Sequence, residues 1–463
     1  MKNKENILII GAGLCGSLLA LRMAQRGYQV QLVEKRPDLR KTDISAGRSI
    51  NLAFSNRGIK AMKLVGLEQK ALEICIPMNG RMIHDQEENT FLSPYSGLDH
   101  EYINSISRTD LNALLLDEAE KMENVSIQFN QECLEVNSEK ATATFKDYHS
   151  GEETTIFADL IFGTDGAGSA LRKSMMNDRS FLFSFSQDYL QHGYKELTIE
   201  PSVEGDFQLY KNALHIWPRG ENMLIALPNL DGSFTVTLFM SYAEGDYNFN
   251  NITSAAKAEE YFEKYYPDAL KLMPNLGEEF FENPTGALGT VKCSPWYSHG
   301  KSLLMGDAAH AIVPFYGQGM NASFEDVVVF DEALENHTGD WEATFKAYQK
   351  ARKKDTDAIA DLAIDNFYEM KEHTAAPIFQ QKRKLETALE EEFPAEYASK
   401  YRLVTFQEQI GYAEAMQRGR AQDKAMLRLI SEEKITDDLS LAEKLKLVKE
   451  ETKTILEEGT VAY

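Results

Sequence analysis

The sequence predicts an α/β chain with a parallel-sheet nucleotide-binding domain, an antiparallel-sheet second domain and a C-terminal helical region. Three glycine-containing motifs in fixed order predict the first part: Gly11-Ala12-Gly13-Leu14-Cys15-Gly16, Thr164-Asp165-Gly166-Ala167-Gly168, and Gly306-Asp307-Ala308-Ala309-His310 followed by Gly317-Gln318-Gly319-Met320-Asn321. A change to β-branched and aromatic runs after about residue 181 predicts the second part, and the scarcity of Gly and Pro after Ala322 predicts the third.

The elements follow in order. Asn6–Ile10 is an apolar run that reads as a buried parallel strand. Leu14–Arg26 reads as a helix stopped by Gly27, and Gln29–Val33 as the next strand, closing on Glu34. Ser107 and Asp110 are spaced as a capping pair before the helical run Leu111–Met122. Val125–Phe129 is a short strand. Ala141–Phe145 and Thr154–Phe157 flank a turn sequence and read as a hairpin, and Asp159–Gly163 returns to the parallel sheet. Ala213–Trp217, Met223–Leu227 and Phe234–Met240 read as antiparallel strands, which residues 75–105 are expected to join. Amphipathic helices are expected near 345–371, 379–392, 399–419 and 439–458. The Glu- and Lys-rich block 432–458 reads as a solvated helix in preference to a partner-binding tail. The expected domains are 1–74, 106–180 and 292–345 for nucleotide binding; 75–105 and 181–291 for the β-sheet domain; and 346–463 for the helical region.

Composition narrows the class. The chain has 463 residues and a net charge of −23, which disfavours nucleic acid and anionic membrane as partners. Four widely spaced cysteines form no CxxC pair, so free thiols in a cytoplasmic setting are expected, with no zinc site. The apolar run from Ile7 to Ala20 behind Lys2 and Lys4 has the look of a signal peptide. The nucleotide-binding glycines inside it, with Glu34 beyond, favour the strand–helix reading. No run of about 18 apolar residues predicts a membrane helix. No P-loop or nucleophile elbow supports a phosphotransferase or hydrolase.

The first glycine motif carries its chemistry through the backbone. Gly11 permits a tight turn, Gly13 the approach of a pyrophosphate, and Gly16 close packing of helix on strand. The helix N-terminus offers free N–H groups to phosphate, and Glu34 stands where a carboxylate accepts from ribose hydroxyls. Asp165-Gly166 also reads as an ordinary turn. His310 shows no partner in the sequence and reads as structural.

Together the three motifs resemble the FAD-binding apparatus of the class A FAD-dependent aromatic hydroxylases, which implies a Rossmann-like FAD-binding domain. Asp307, at a strand end, would accept from ribityl hydroxyls, and the backbone N–H groups around Gly317 and Gly319 would face the flavin edge. Within that family the resemblance is to the kynurenine 3-monooxygenases. It rests on Arg48–Ala53, Arg81–His84 with Tyr95, Ser107-Arg108, His192–Leu197, Leu214–Arg219, Ile225–Asn229, Gly306–Asn321, Asn366 with Glu369-Met370, and Tyr401 with Val404–Phe406. It runs from about residue 7 to about residue 420.

The resemblance implies FAD contacts at Leu14, Glu34, Arg36, Ala53, Arg108, Asp307, Met320 and Asn321, with Tyr194 a weaker candidate. It implies substrate contacts at Arg81, Tyr95, Asn366 and Tyr401. Without it, Asn366 would read as a solvent-facing helix residue. The implied reaction converts L-kynurenine to 3-hydroxy-L-kynurenine with NADPH and O2 in tryptophan catabolism, through a flavin C4a-hydroperoxide and with no catalytic side chain. The absence of a second GxGxxG agrees with a transiently bound NADPH. Eukaryotic members carry a hydrophobic C-terminal anchor, whereas the tail here is charged from about Arg420, so a soluble member of the bacterial kind is implied. Two alternatives stay open: a hydroxylase of another phenolic or polyketide substrate, and a flavin-binding protein without turnover. A homodimer also stays open.

Overall fold

The structure is a computed structural model that describes residues 5–41, 51–369 and 377–459. Lys2, Lys4, Arg48, Ser49, Ile50 and Met370 lie outside the described residues. The chain divides into two compact units. One comprises 1–75, 106–190 and 287–360; the other comprises 76–105, 191–286 and 361–463.

The first unit is built on a six-stranded sheet in the order Tyr297–Ser298, Ser302–Leu304, Leu160–Gly163, Asn6–Ile10, Gln29–Val33, Val125–Gln128. All neighbours are parallel except the first pair. Ile7, Leu8, Ile9, Leu160, Ile161, Phe162, Leu303 and Leu304 are all buried, as strands covered on both faces require. The helix Leu14–Gln25 packs Leu18, Leu19 and Met23 into the same core. The apolar run near the N-terminus is therefore part of the folded core. The hairpin of Thr142–Asp147 with Glu153–Phe157 forms as expected and adds Gln131–Asn137 as a third strand.

The second unit contains most of a seven-stranded sheet in the order Thr285–Ser294, Ser184–Ile199, Phe234–Ser241, Asn222–Pro228, Leu214–Arg219, Gly80–His84, Thr90–Pro94. The expectation of a purely antiparallel sheet is corrected here: Leu214–Arg219 pairs in parallel with Gly80–His84, placing Leu214 beside Arg81. These strands are far apart in sequence, so no tight turn forces them antiparallel. Residues 181–291 are also not all sheet. Ala255–Tyr265, Pro267–Leu270 and Leu276–Glu282 are helices, the first capped by Ser254, and their Tyr261, Phe262 and Phe280 bury against the strands.

The C-terminal helices are Pro377–Glu392, Lys400–Thr405, Tyr412–Ser431 and Leu441–Glu457. The helix expected over 399–419 is two helices, because Gly411 is extended and starts a new one. Among the described residues no helix is long and apolar enough to cross a membrane, and no cluster of potential metal ligands occurs.

Candidate functional site

The first unit gathers its three glycine motifs at the C-terminal ends of the parallel strands, where open α/β sheets bind nucleotides. Gly11 has φ +100°, and a Cβ there would lie 2.7 Å from the Thr164 carbonyl oxygen. A Cβ on Gly16 would lie 1.9 Å from the Gly11 carbonyl oxygen. Gly13 differs: a Cβ there meets nothing within 4 Å, and the same holds at Gly166 and Gly168. The backbone is thus packed tightly at Gly11 and Gly16 and opens onto free space at Gly13. A pyrophosphate needs such a cradle.

Buried side chains hold this cradle. Thr164 donates its hydroxyl to the carbonyls of Ile10 and Gly11, at 3.0 and 2.8 Å. Asn112 and Ser17 both donate to the carbonyl of Ala12. Glu34 is buried and accepts from the N–H of Ala12 at 2.9 Å and from Arg36 through both its N–H and its exposed guanidinium. A carboxylate oxygen accepts more than one bond, so this leaves Glu34 capacity for a hydroxyl.

At the third motif Asp307 opens a short helix. It is exposed to solvent, and partial withdrawal from water raises its carboxyl above the ordinary value, against the opposing charges of Arg108 and His310. Asp165 closes its own turn by accepting from the N–H of Ala170 at 2.6 Å, and burial raises its carboxyl. Asn321 donates to the carbonyls of Ala53 and Gly317 at 2.8 and 3.0 Å and accepts from the N–H of Ser55. Its side chain clamps the segment 53–55 onto the helix Gly319–Asn336, while Gly319 and Met320 form that helix's first turn. Leu14 and Met320 are buried and apolar.

Asp326 and Arg352 are supporting residues that escaped the sequence reading, and Arg172, which ends the turn sequence of the second motif, gains a role that the sequence did not assign. Arg172 donates to the carbonyl of Ala308 at 2.6 Å and to that of Ala167, joining the second motif to the third. Asp326 accepts from the N–H of Gly306 at 3.0 Å, lies 2.6 Å from His310 Nε2 and accepts from Arg352 Nε at 2.7 Å. His310 therefore does have a partner, the buried Asp326. Glu325 and Asp326 stand side by side in the sequence, and nothing there marked Asp326 as the buried one.

The open side of Gly13 supports a test. Its backbone, at φ −72°, accepts any L-residue. Gly13→Ala is expected to leave the apo-protein's thermal midpoint unchanged while weakening FAD binding about tenfold or more, ~1.4 kcal/mol. Fluorescence titration with FAD beside a melting curve checks both halves.

The second unit brings Arg81, Tyr95 and Tyr401 together. Tyr95 and Tyr401 stack with ring centroids 5.5 Å apart and planes 12° apart. The Arg81 guanidinium carbon lies 4.3 Å from the Tyr401 ring centroid and 5.2 Å from that of Tyr95, and Phe406 packs edge-on to both rings. Tyr95 is fully buried, and its hydroxyl has no hydrogen-bond partner among the described residues. Burial pushes that phenol well above its ordinary value; Tyr401 adds to the rise and Arg81 opposes it. It therefore remains a neutral donor. Asn366 is half-buried on the helix Trp341–Tyr368, beside Phe367, which packs edge-on to His192. Tyr194 lies over Gly286, where a Cβ would come within 2.3 Å of its ring.

The FAD binding domain family matches residues 4–182 and 290–363. Kynurenine 3-monooxygenase of Myxococcus xanthus is 44% identical over 446 residues, covering 96% of this chain and 95% of the relative. The Dictyostelium discoideum enzyme of that name is 44% identical over 455 residues, covering 96% of each. Among solved structures, 2-methyl-3-hydroxypyridine-5-carboxylic acid oxygenase matches with TM-score 0.64 at 20% identity, over 86% of this chain and 99% of that one. Pseudomonas aeruginosa PqsL, solved with 2-aminobenzoylacetate, matches with TM-score 0.64 at 16% identity, over 80% and 97%. At these identities the two structures speak to the fold alone.

Proposed function

Since the chain belongs to the kynurenine 3-monooxygenase family of class A FAD-dependent monooxygenases, we propose that it hydroxylates L-kynurenine to 3-hydroxy-L-kynurenine with NADPH and O2. The observation that carries this reading is the stack of Arg81, Tyr95 and Tyr401. It offers a half-buried guanidinium, held by two aromatic faces, beside a buried phenol whose hydroxyl is unspent. A carboxylate on an aromatic amino acid would take a bidentate bond from Arg81 and a further bond from Tyr95. Asn366 both donates and accepts, which suits the substrate's remaining polar groups.

FAD, when bound, supplies hydride acceptance from NADPH and the activation of O2. Gly11, Gly13, Leu14, Gly16 and the helix behind them would hold its pyrophosphate, Glu34 with Arg36 the ribose, and Asp307 with Arg108 the ribityl chain. Ala53, Asp165, Gly319, Met320 and Asn321 complete the cradle. The protein then has to position a ring that its own amino group makes electron-rich, and to exclude water, without supplying a nucleophile.

The test is NADPH oxidation by the FAD-loaded protein with and without L-kynurenine, the product being identified by mass and retention. Stimulation with 3-hydroxykynurenine formed supports the reading. Stimulation that releases only peroxide would make kynurenine an effector and another ring the substrate. No stimulation would leave a flavin protein of another specificity, or one without turnover.

Tyr95→Phe sharpens the test. Removing a hydroxyl that bonds nothing in the free protein is expected to leave stability unchanged or slightly higher, while kynurenine binding weakens by about 1–2 kcal/mol. A melting curve and a binding titration on one preparation separate these effects. A fall in stability with unchanged binding would remove Tyr95 from the site.

A further inference from the structure

We propose that Glu390 is a positioning residue that fixes the spacing of the Tyr95–Tyr401 stack, a role that rests on the kynurenine reading above. The two tyrosines come from distant parts of the chain. Tyr95 follows the strand Thr90–Pro94, and Tyr401 lies on the short helix Lys400–Thr405. Nothing in either segment alone sets their separation.

Glu390 is fully buried on the helix Pro377–Glu392 and spends one carboxylate oxygen on each side. Oε2 accepts from the N–H of Gly97 at 3.1 Å, two residues past Tyr95. Oε1 accepts from the N–H of Ser399 at 2.7 Å, two residues before Tyr401. One rigid carboxylate thus joins the two backbones that carry the stacked rings. Charge-assisted bonds of this kind are short and directional.

The surroundings reinforce that geometry. Gly97 lies against the same helix: a Cβ there would be 2.7 Å from the Glu391 nitrogen and 3.0 Å from the Glu390 Cβ. Arg383, two helical turns earlier, donates to the carbonyls of Pro94 and Tyr95 at 2.8 and 3.2 Å. Arg402 donates through Nε to both oxygens of Glu101, at 2.8 and 2.9 Å. Lys400 is paired with Asp423 and Glu369. The residues on either side of Tyr401 are therefore tied down, and beside the direct Arg402–Glu101 link Glu390 bonds the backbone within two residues of each stacked ring.

The experiment compares Glu390→Gln, Gly97→Ala and a control, Arg428→Ala, in the FAD-loaded protein. Gln keeps one acceptor but turns an N–H donor toward a second donor, which breaks one of the two links. Gly97→Ala leaves the carboxylate intact and pushes the loop off the helix. The control removes an ion pair with Glu451 elsewhere in the same helices. Both test variants are expected to raise KM for L-kynurenine about tenfold, with KM for NADPH unchanged and kcat little altered. The control is expected to lower the melting temperature without moving KM for kynurenine. Should Glu390→Gln fail to fold, Gly97→Ala reads the same displacement.

The role is overturned if wild type responds to kynurenine while both test variants keep KM within about twofold. It is also overturned if Arg428→Ala raises KM as much as they do, since general loosening then suffices. A wild type that does not respond to kynurenine overturns the substrate reading and this role together.

Discussion

Arg352→Met is expected to destabilise the FAD-binding unit by about 3–5 kcal/mol, the cost of leaving buried charges without their partner. Arg352 is almost fully buried. It donates to Asp326 and Glu325 and to the carbonyl of Ala322. Glu325 keeps Arg57, but Asp326 would face the interior with only His310. Burial alone would raise the Asp326 carboxyl; the charges of His310 and Arg352 reverse this and hold it at about 2. The sign follows: a depressed carboxylate stabilises the fold fully above its ordinary value of 3.8, and that contribution is lost as pH falls through about 2. In Arg352→Met the Asp326 carboxyl rises towards or above its ordinary value, so the stability difference from wild type is largest at neutral pH and narrows as pH falls through the acid range. Urea midpoints at neutral and acid pH measure both effects, and Asp326→Asn in the Arg352→Met background should recover part of the loss. A neutral-pH change below about 1 kcal/mol would show that the pair does not matter.

Gly16→Ala is expected to cost about 3 kcal/mol or more, beyond ordinary overpacking, and to abolish FAD retention. The added methyl would sit 1.9 Å from the Gly11 carbonyl oxygen and 2.5 Å from Thr164 Oγ1. The first is backbone in a tight turn and the second is already bonded twice to that turn, so neither can yield without opening the motif. Gly13→Ala, three residues away, meets no atom. The pair is therefore expected to separate a glycine required by the fold from one required by the ligand. Flavin absorbance after gel filtration and a melting curve are sufficient. Equal behaviour of the two variants would contradict the geometry.

The parallel sheet was legible because its strands are short apolar runs and its glycines recur at a spacing only a strand–turn–helix satisfies. The boundaries Asn6–Ile10 and Gln29–Val33 fall where hydrophobicity placed them. The helix Ala255–Tyr265 was missed although Ser254 caps it, because the surrounding aromatic and β-branched runs dominated the reading. The parallel pairing of Leu214 with Arg81 was not legible, since it joins residues more than a hundred positions apart and no local signal fixes register over that distance. The buried charges Arg352, Asp326 and Glu390 were invisible for a related reason. A charged residue in a helix reads as solvated until its partner in space is known. Arg81, Tyr95 and Tyr401 were reached through family resemblance, and their mutual stacking is a property of the fold alone.

The strand order also sets a sequence of events in time. Ser302–Leu304 pairs with Leu160–Gly163, yet the ribosome makes it roughly ten seconds to a minute after Gln29–Val33, at ~5–20 residues per second. Through that interval the growing chain carries a parallel sheet with one bare apolar edge at Leu160–Gly163, and it lacks Asp307 and Asn321. A nascent chain stalled before residue 302 should therefore be sticky and colourless. Capture of the yellow cofactor becomes a late step, and it reports that the last parallel strand has reached its place.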